Sequence, residues 1–241
     1  MRNYNIKPSF ITFVMFLSLI FSGIAFAHGK ASPKETGIRT LYLIRHGEYN
    51  QKDPRSSFVG KGLVPLGIAQ ARLVAARLRT YPVRFDSLYS STMTRAIETA
   101  LVINQDFPYL KLKKSPLISE CTPPAWRIKK IDMKRAMTCK RRLDRAFKVF
   151  FVPAADGEKN DIVVCHGNVI RYFVTKVLGV DTRAWLNMSI YNCSLTVVKI
   201  YPDGHMKLVS YNDIGHIPPS MQTQPGPEEE LKLLKVPAFK H

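Results

Sequence analysis

Two apolar runs in this chain each end in a histidine followed by a glycine. Leu41-Tyr42-Leu43-Ile44 leads into Arg45-His46-Gly47-Glu48, and Asp161-Ile162-Val163-Val164-Cys165 leads into His166-Gly167-Asn168. A third stretch, Asp86-Ser87-Leu88-Tyr89, runs through Ser90-Ser91-Thr92-Met93-Thr94 to Arg95. Two imidazoles and two guanidiniums brought together describe a site for a tetrahedral oxyanion, with phosphate the best fit. Planar guanidinium forks bind the spread charge of a transferring phosphoryl group bidentately, which a lysine ammonium cannot do. A neutral imidazole is a competent nucleophile for a two-step displacement. His46 is the candidate nucleophile, with Arg45 and Arg95 binding phosphate, and His166 and Gly167 completing the pocket, His166 as a protonated donor. The leaving alcohol needs a proton from a carboxylic acid of raised pKa. Glu120 is the candidate, after the apolar pair Leu117-Ile118 where the chain leaves the sheet, and Glu48 is its competitor.

These residues need elements that face them to one side. Short apolar runs bounded by glycine, one followed by a helical pattern from Val169 to Leu178, read as buried parallel strands of an α/β fold. In such a sheet, ligands bind in the crevice beyond the carboxyl ends of the strands. Helices are expected at Pro65 to Tyr81, Met93 to Asn104, Met133 to Phe151 and Asn168 to Leu178. Strands are expected at Ile38 to Ile44, Asp86 to Tyr89, Ile162 to Cys165, Cys193 to Ile200 and Met206 to Tyr211. Tyr201-Pro202-Asp203-Gly204 forms the turn between the last two.

The motifs resemble the histidine phosphatase, or phosphoglycerate mutase-like, superfamily. Arg45-His46-Gly47 resembles its nucleophile signature, Arg95 its second arginine, Glu120 its acid and His166-Gly167 its second histidine. Pro65-Leu66-Gly67, the stretch Ser91 to Thr99, His166 to Phe173 and Asp213 to Pro219 look closest to a mitochondrial branch of serine/threonine protein phosphatases. The resemblance implies a three-layer sandwich, a mostly parallel central sheet with helices on both faces. It also implies a phosphomonoester hydrolase working through a phosphohistidine without cofactor or metal, most directly on phosphorylated protein. A small-molecule or phosphohistidine phosphatase, or a weakly active phosphate-binding interaction protein, are the alternatives. Ser119-Glu120-Cys121-Thr122-Pro123-Pro124 departs from the Arg-Glu-Gly-Ala-Pro pattern of that branch. The tryptophan, arginine and phenylalanine pattern of glycolytic mutases is missing between Tyr49 and Leu63, so hydrolysis is expected.

Composition frames the rest. The 241 residues, 46% hydrophobic, suffice for one α/β domain, placed here at 38–220. Arg2 and Lys7, the apolar run Phe10 to Ile24 and Ala25-Phe26-Ala27 read as a signal peptide over 1–27, with anchoring through residues 9–27 as the alternative. An exported protein, periplasmic or secreted, is the corresponding expectation. Residues 28–37 read as a linker and 221–241 as a flexible tail containing Pro225-Gly226-Pro227. The formal charge of +18 concentrates between Arg127 and Lys148, where only Asp132 and Asp144 oppose a run of lysines and arginines. That segment reads equally as a rim steering acidic phospho-substrates and as a solvated helix face. Nucleic acid is disfavoured, for want of interleaved aromatics and a known module. A homo-oligomer stays open. Cys165 and Cys193 read as buried, while Cys121 and Cys139 could pair, though four cysteines allow several pairings. The sequon residues Asn187 and Asn192 read as structural, and His28, His205, His216 and His241 as surface or tail positions.

Overall fold

The first apolar run becomes β1 (Arg39–Arg45), buried from Thr40 onward. Continuous burial without alternation is what a strand covered on both faces requires. The computed structural model describes residues 36–55, 59–128 and 131–224; the expected signal peptide or anchor, and most of the expected tail, lie outside them. Chain order is β1, α1 (Pro65–Arg79), β2 (Ser87–Ser91), α2 (Thr94–Asn104), β3 (Leu112–Ser115), α3 (Met133–Phe150), β4 (Lys159–Cys165), α4 (Gly167–Val177), β5 (Leu195–Ile200) and β6 (Met206–Asp213).

The six strands form one sheet in the order β3-β2-β4-β1-β5-β6. β1, β2, β3 and β4 run parallel, and β5 and β6 close one edge antiparallel. Each helix connects or flanks these strands. Alternate residues of the central strands feed two cores. Tyr42, Ile44, Ile162 and Val164 pack with α1 and α2 on one face. Leu41, Leu43, Val163 and Cys165 pack with α3 and α4 on the other. This is the expected three-layer arrangement.

Local signals account for most boundaries. Pro65 opens α1 at a position where a missing N–H costs nothing. The Asp132 side chain caps α3 by accepting from the Arg135 N–H (3.1 Å), and Ala136, Cys139, Leu143, Ala146 and Phe150 form its buried stripe. Two expectations need correction. Leu117 and Ile118 belong to a 3-10 turn (Pro116–Ile118), and the strand before it is Leu-Lys-Lys-Ser. That strand lies at the sheet edge, where lysines are an ordinary protection and no apolar run is needed. The strand expected from Cys193 starts at Leu195, because Cys193 itself has φ +51°, the left-handed region. Of the segment read as tail, Met221 and Thr223 are tied down, the Gln70 Nε2 donating to Met221 O (2.7 Å) and to Thr223 Oγ1 (2.9 Å).

The turn after β1 leans directly on α1. Val64 N–H donates to Glu48 O (3.2 Å), and Glu48 N–H donates to Gln70 Oε1 (2.9 Å). A Cβ at Gly67 would stand 2.0 Å from Glu48 O, and one at Gly47 2.5 Å from Gly67 O. Both glycines are there because backbone meets backbone. Gly67→Ala should therefore cost about 1–3 kcal/mol by overpacking. At roughly 2–4 °C per kcal/mol for a domain of this size, thermal circular dichroism should show a midpoint lower by several degrees; an unchanged midpoint would refute the close approach.

Candidate active site

Strand register decides which side chains meet. Arg45 pairs with Cys165, and Ser90 pairs with Val164. The next residues, His46, Ser91 and His166, therefore emerge together from three neighbouring parallel strands. The two imidazole rings lie 5.1 Å apart, centroid to centroid. Arg95 arrives from the first turn of α2, held there by Thr94, whose N–H (2.8 Å) and hydroxyl (2.9 Å) both donate to Val59 O. Arg45, His46, Arg95 and His166 are all buried.

The hydrogen bonds of His46 fix its tautomer. Arg95 Nε lies 3.0 Å from His46 Nε2, and a guanidinium N–H can only donate. Nε2 must accept, so the ring proton sits on Nδ1 and is donated to Gly47 O at 2.8 Å. The ring is held neutral, its pKa lowered by burial and then by His166, Arg45 and Arg95. A neutral imidazole with its Nε2 lone pair facing a guanidinium is a nucleophile in its reactive form. The backbone is clamped as well: His46 N–H donates to Cys165 O (3.0 Å), and Asn192 Nδ2 donates to His46 O (2.9 Å).

His166 caps the N-terminus of α4, and its Nε2 lies 2.7 Å from Ser91 Oγ. Its Nδ1 is buried without a partner. Burial, with Arg95, Arg45 and Arg142 nearby, lowers its pKa well below the ordinary value, so it is neutral where the sequence suggested a protonated donor. Arg45 Nη1 donates to Ile190 O (2.8 Å), and burial brings its pKa down to about 10, against the pull of Glu120 and Glu48. Burial raises the Glu120 carboxyl, while Arg95 and Arg45 oppose that rise. The carboxyl thus lies within electrostatic range of the same pair of guanidiniums that act on the histidines. Gly167 lies close to Arg45, where a Cβ would come 3.4 Å from Nε.

All six sequence candidates are accordingly brought to one sheet edge. Glu48 is held through its backbone to α1, and its carboxylate also acts on Arg45. Sequence reasoning missed four supports. Tyr49 packs its ring edge-on to His46 (5.3 Å) and under the Arg95 guanidinium (4.8 Å). Ser91 pairs with His166, Thr99 Oγ1 accepts from Gly47 N–H (3.0 Å), and Asn192 clamps His46. Ser91 and Thr99 fall within the stretch that resembles the family and Asn192 within a sequon, but nothing local in the chain gives them these partners; their buried positions do. His216, read as a surface position, is half-buried with Nε2 3.0 Å from Cys193 O.

The profile of the histidine phosphatase superfamily (branch 1) matches residues 41–214. Over 198 residues the chain is 38% identical to the serine/threonine-protein phosphatase Pgam5, mitochondrial, of Caenorhabditis elegans, across 78% of this chain and 67% of that protein. The Homo sapiens serine/threonine-protein phosphatase PGAM5, mitochondrial, is 32% identical over 203 residues, 79% of this chain and 68% of its own. A phosphoglycerate mutase from Bacillus anthracis superposes with a TM-score of 0.60 at 23% identity, over 76% of this chain and 96% of that one, which speaks of the fold. The mitochondrial relatives overturn the expectation of an exported, periplasmic or secreted protein. A basic start, an apolar run and an Ala-x-Ala pattern are compositional cues that do not by themselves name a compartment. Among the described residues no helix is long and apolar enough to cross a membrane.

The lowered histidine pKa values set a pH dependence. Below about pH 6.5 the unfolded chain takes up protons on His46 and His166 that the folded chain refuses, so stability falls as pH falls. Each ring should contribute a loss of stability that deepens as pH falls from neutral toward 5.5. Urea unfolding from pH 7.5 to 5.5 should show this loss, and His166→Gln should flatten part of it. Parallel pH slopes in the two proteins would refute the buried neutral ring.

Proposed function

The chain belongs to the histidine phosphatase superfamily, and on that footing we propose that it hydrolyses phosphoserine and phosphothreonine in protein through a phosphohistidine at His46. The observation that carries this reading is the Arg95–His46 hydrogen bond, which presents an unprotonated Nε2 inside a pocket of guanidiniums.

In the proposed first step, phosphoryl oxygens enter between Arg45, Arg95 and His166, and the Arg95 N–H turns from Nε2 to an oxygen. Nε2 attacks phosphorus, the P–O bond to the alcohol breaks, and Glu120 gives its proton to the departing oxygen. In the second step water attacks the phosphohistidine, Glu120 takes the proton back, and inorganic phosphate leaves. Burial first and the neighbouring arginines second keep His166 neutral; the incoming dianion opposes both by favouring a cation, so this ring regains a proton and donates from its unpaired Nδ1.

The substrate class is supported by the names of the relatives and by charge near the acid segment. A groove of about 600 Å³ next to Cys121, the residue after Glu120, is lined by Lys134, Arg135 and Arg142 against the single carboxylate of Asp132, which pairs with Arg135 (3.3 Å), together with Cys121, Thr138 and Cys139. Both earlier readings of the basic segment have support: α3 buries an apolar stripe and carries cations at this groove.

Two measurements test the proposal. Rapid-quench mass spectrometry should find an acid-labile phosphoryl group on His46, and His46→Ala should lower kcat by several orders of magnitude. An adduct on another residue would overturn the assignment. Replacing Lys134, Arg135 and Arg141 by glutamate should lower kcat/KM toward acidic phosphopeptides by about tenfold at low salt, with kcat kept and the difference narrowing as salt rises. Arg142 is left in place, because its guanidinium holds the backbone at Ser119 and Glu120. A collapse of kcat in the folded triple variant would place these cations in the chemistry instead.

A further inference from the structure

Glu120 stands apart from the other site residues. Arg45, His46, Arg95 and His166 sit in or directly against strands and helices, but Glu120 lies past the 3-10 turn that ends at Ile118, in a segment whose described residues (119–128 and 131–132) form no helix or strand before α3 at Met133. Its position depends on ties. Arg142 Nη2 donates to Ser119 O (2.6 Å) and to Glu120 O (3.4 Å). Asn168 Nδ2, two residues beyond His166, donates to Cys121 O (3.1 Å), and Cys121 N–H donates to Glu120 Oε1 (3.1 Å). Glu120 N–H also donates to Met93 Sδ (3.4 Å), the Asn168 backbone N–H donates to the Glu120 carboxyl, and a further tie is covalent: Cys121, adjacent to the acid, is disulfide-bonded to Cys139 on the buried stripe of α3. Hydrogen bonds of this kind exchange with water at small net cost, whereas a disulfide does not.

A general acid works only within hydrogen-bond reach of the leaving oxygen, and misplacement by about 1 Å can cost a hundredfold. We infer that the Cys121–Cys139 disulfide is a positioning element for the Glu120 proton donor, so that thiol–disulfide exchange at this pair tunes hydrolysis of esters whose leaving groups need a proton. This rests on the proposed role of Glu120. Both cysteines line the open groove, Cys121 half-buried and Cys139 5% exposed, so a small dithiol meets the bond from the groove side, where Lys134, Arg135 and Arg142 outnumber Asp132 and favour its thiolate. That thiolate attacks one sulfur, the S–S bond breaks, and the departing sulfur takes a proton. The second thiol of the reductant then resolves the mixed disulfide, leaving two protein thiols and an oxidised reductant. Cys165 and Cys193 are buried away from such exchange.

The test compares a phosphoserine peptide with p-nitrophenyl phosphate, whose leaving group needs little protonation. Reduction by a dithiol, with the two new thiols counted by alkylation and mass spectrometry, should lower kcat for the peptide about tenfold or more and for the aryl ester by less than about twofold. Reoxidation should restore the peptide rate. The Cys121→Ser, Cys139→Ser double variant should match the reduced protein and ignore the dithiol. Glu120→Gln should be slow on the peptide from the start and gain no further loss on reduction. Equal slowing of both substrates, loss that persists in Glu120→Gln, no change on reduction, or unfolding of the reduced protein by circular dichroism would each overturn the inference. Unimpaired peptide hydrolysis by Glu120→Gln would overturn the role of Glu120 itself, and the tether with it.

Discussion

The structure turns on one hydrogen bond, from Arg95 Nε to His46 Nε2. Because a guanidinium has no lone pair to offer, the imidazole must accept at Nε2 and carry its proton on Nδ1, which Gly47 O then receives. Everything that fixes Arg95 thereby fixes the His46 ring. Thr94 anchors the start of α2, Tyr49 lies beneath the guanidinium, and Thr99 joins the Arg95 carbonyl (2.7 Å) to the N–H of Gly47. The arrangement is electrostatically incomplete: two buried guanidiniums and two neutral imidazoles face the Glu120 carboxyl, whose own pKa is raised by burial. Burying charge without full pairing is costly, so a pocket that tolerates it is suited to a dianion supplied from outside.

Parallel strand pairing is what makes that bond available. β4 lies between β1 and β2, so the histidines ending β1 and β4 meet at neighbouring strand ends, and the β2 end adds Ser91. The reversal of direction at β5 supplies the other side, because Asn192 and Cys193 approach from the loop before it and bond to the carbonyls of His46 and Arg45. Cys193 reaches Arg45 O (3.0 Å) through its left-handed backbone, a conformation few residues other than glycine adopt. Local strain at that residue is the cost of completing the clamp.

The parts of this architecture legible in the sequence are those whose signal is local. Apolar runs marked β1 and β4, proline and periodicity marked α1, and glycines after the histidines marked the strand ends. The two arginines, two histidines and Glu120 were recognisable because chemistry restricts which side chains can serve. Illegible were features set by distant partners. β3, with two lysines, is a strand because it is an edge. Ser91 and Asn192 matter only because the fold delivers them to a ring nitrogen and a carbonyl. The charge of His166 depends on its burial and then on three arginines, Arg95, Arg45 and Arg142, drawn from different elements, so no local reading of the chain gives its protonation state.

On the proposed mechanism, the two ends of a phosphoester would meet different kinds of structure. The phosphoryl end faces residues in or against strands and helices whose positions are set by the sheet and two cores, the most cooperative part of the domain. The leaving-group end faces Glu120, on an irregular segment where side chains and backbone can change without disturbing the sheet. The chemistry common to the reaction belongs to the rigid part, and the choice of which alcohol is protonated belongs to the tied loop. In this chain the tie is a disulfide and an arginine from the same helix, α3, that lines the basic groove. Substrate capture and proton donation consequently share one structural element, and a change in α3 packing would reach both, while leaving the Arg95–His46 bond intact.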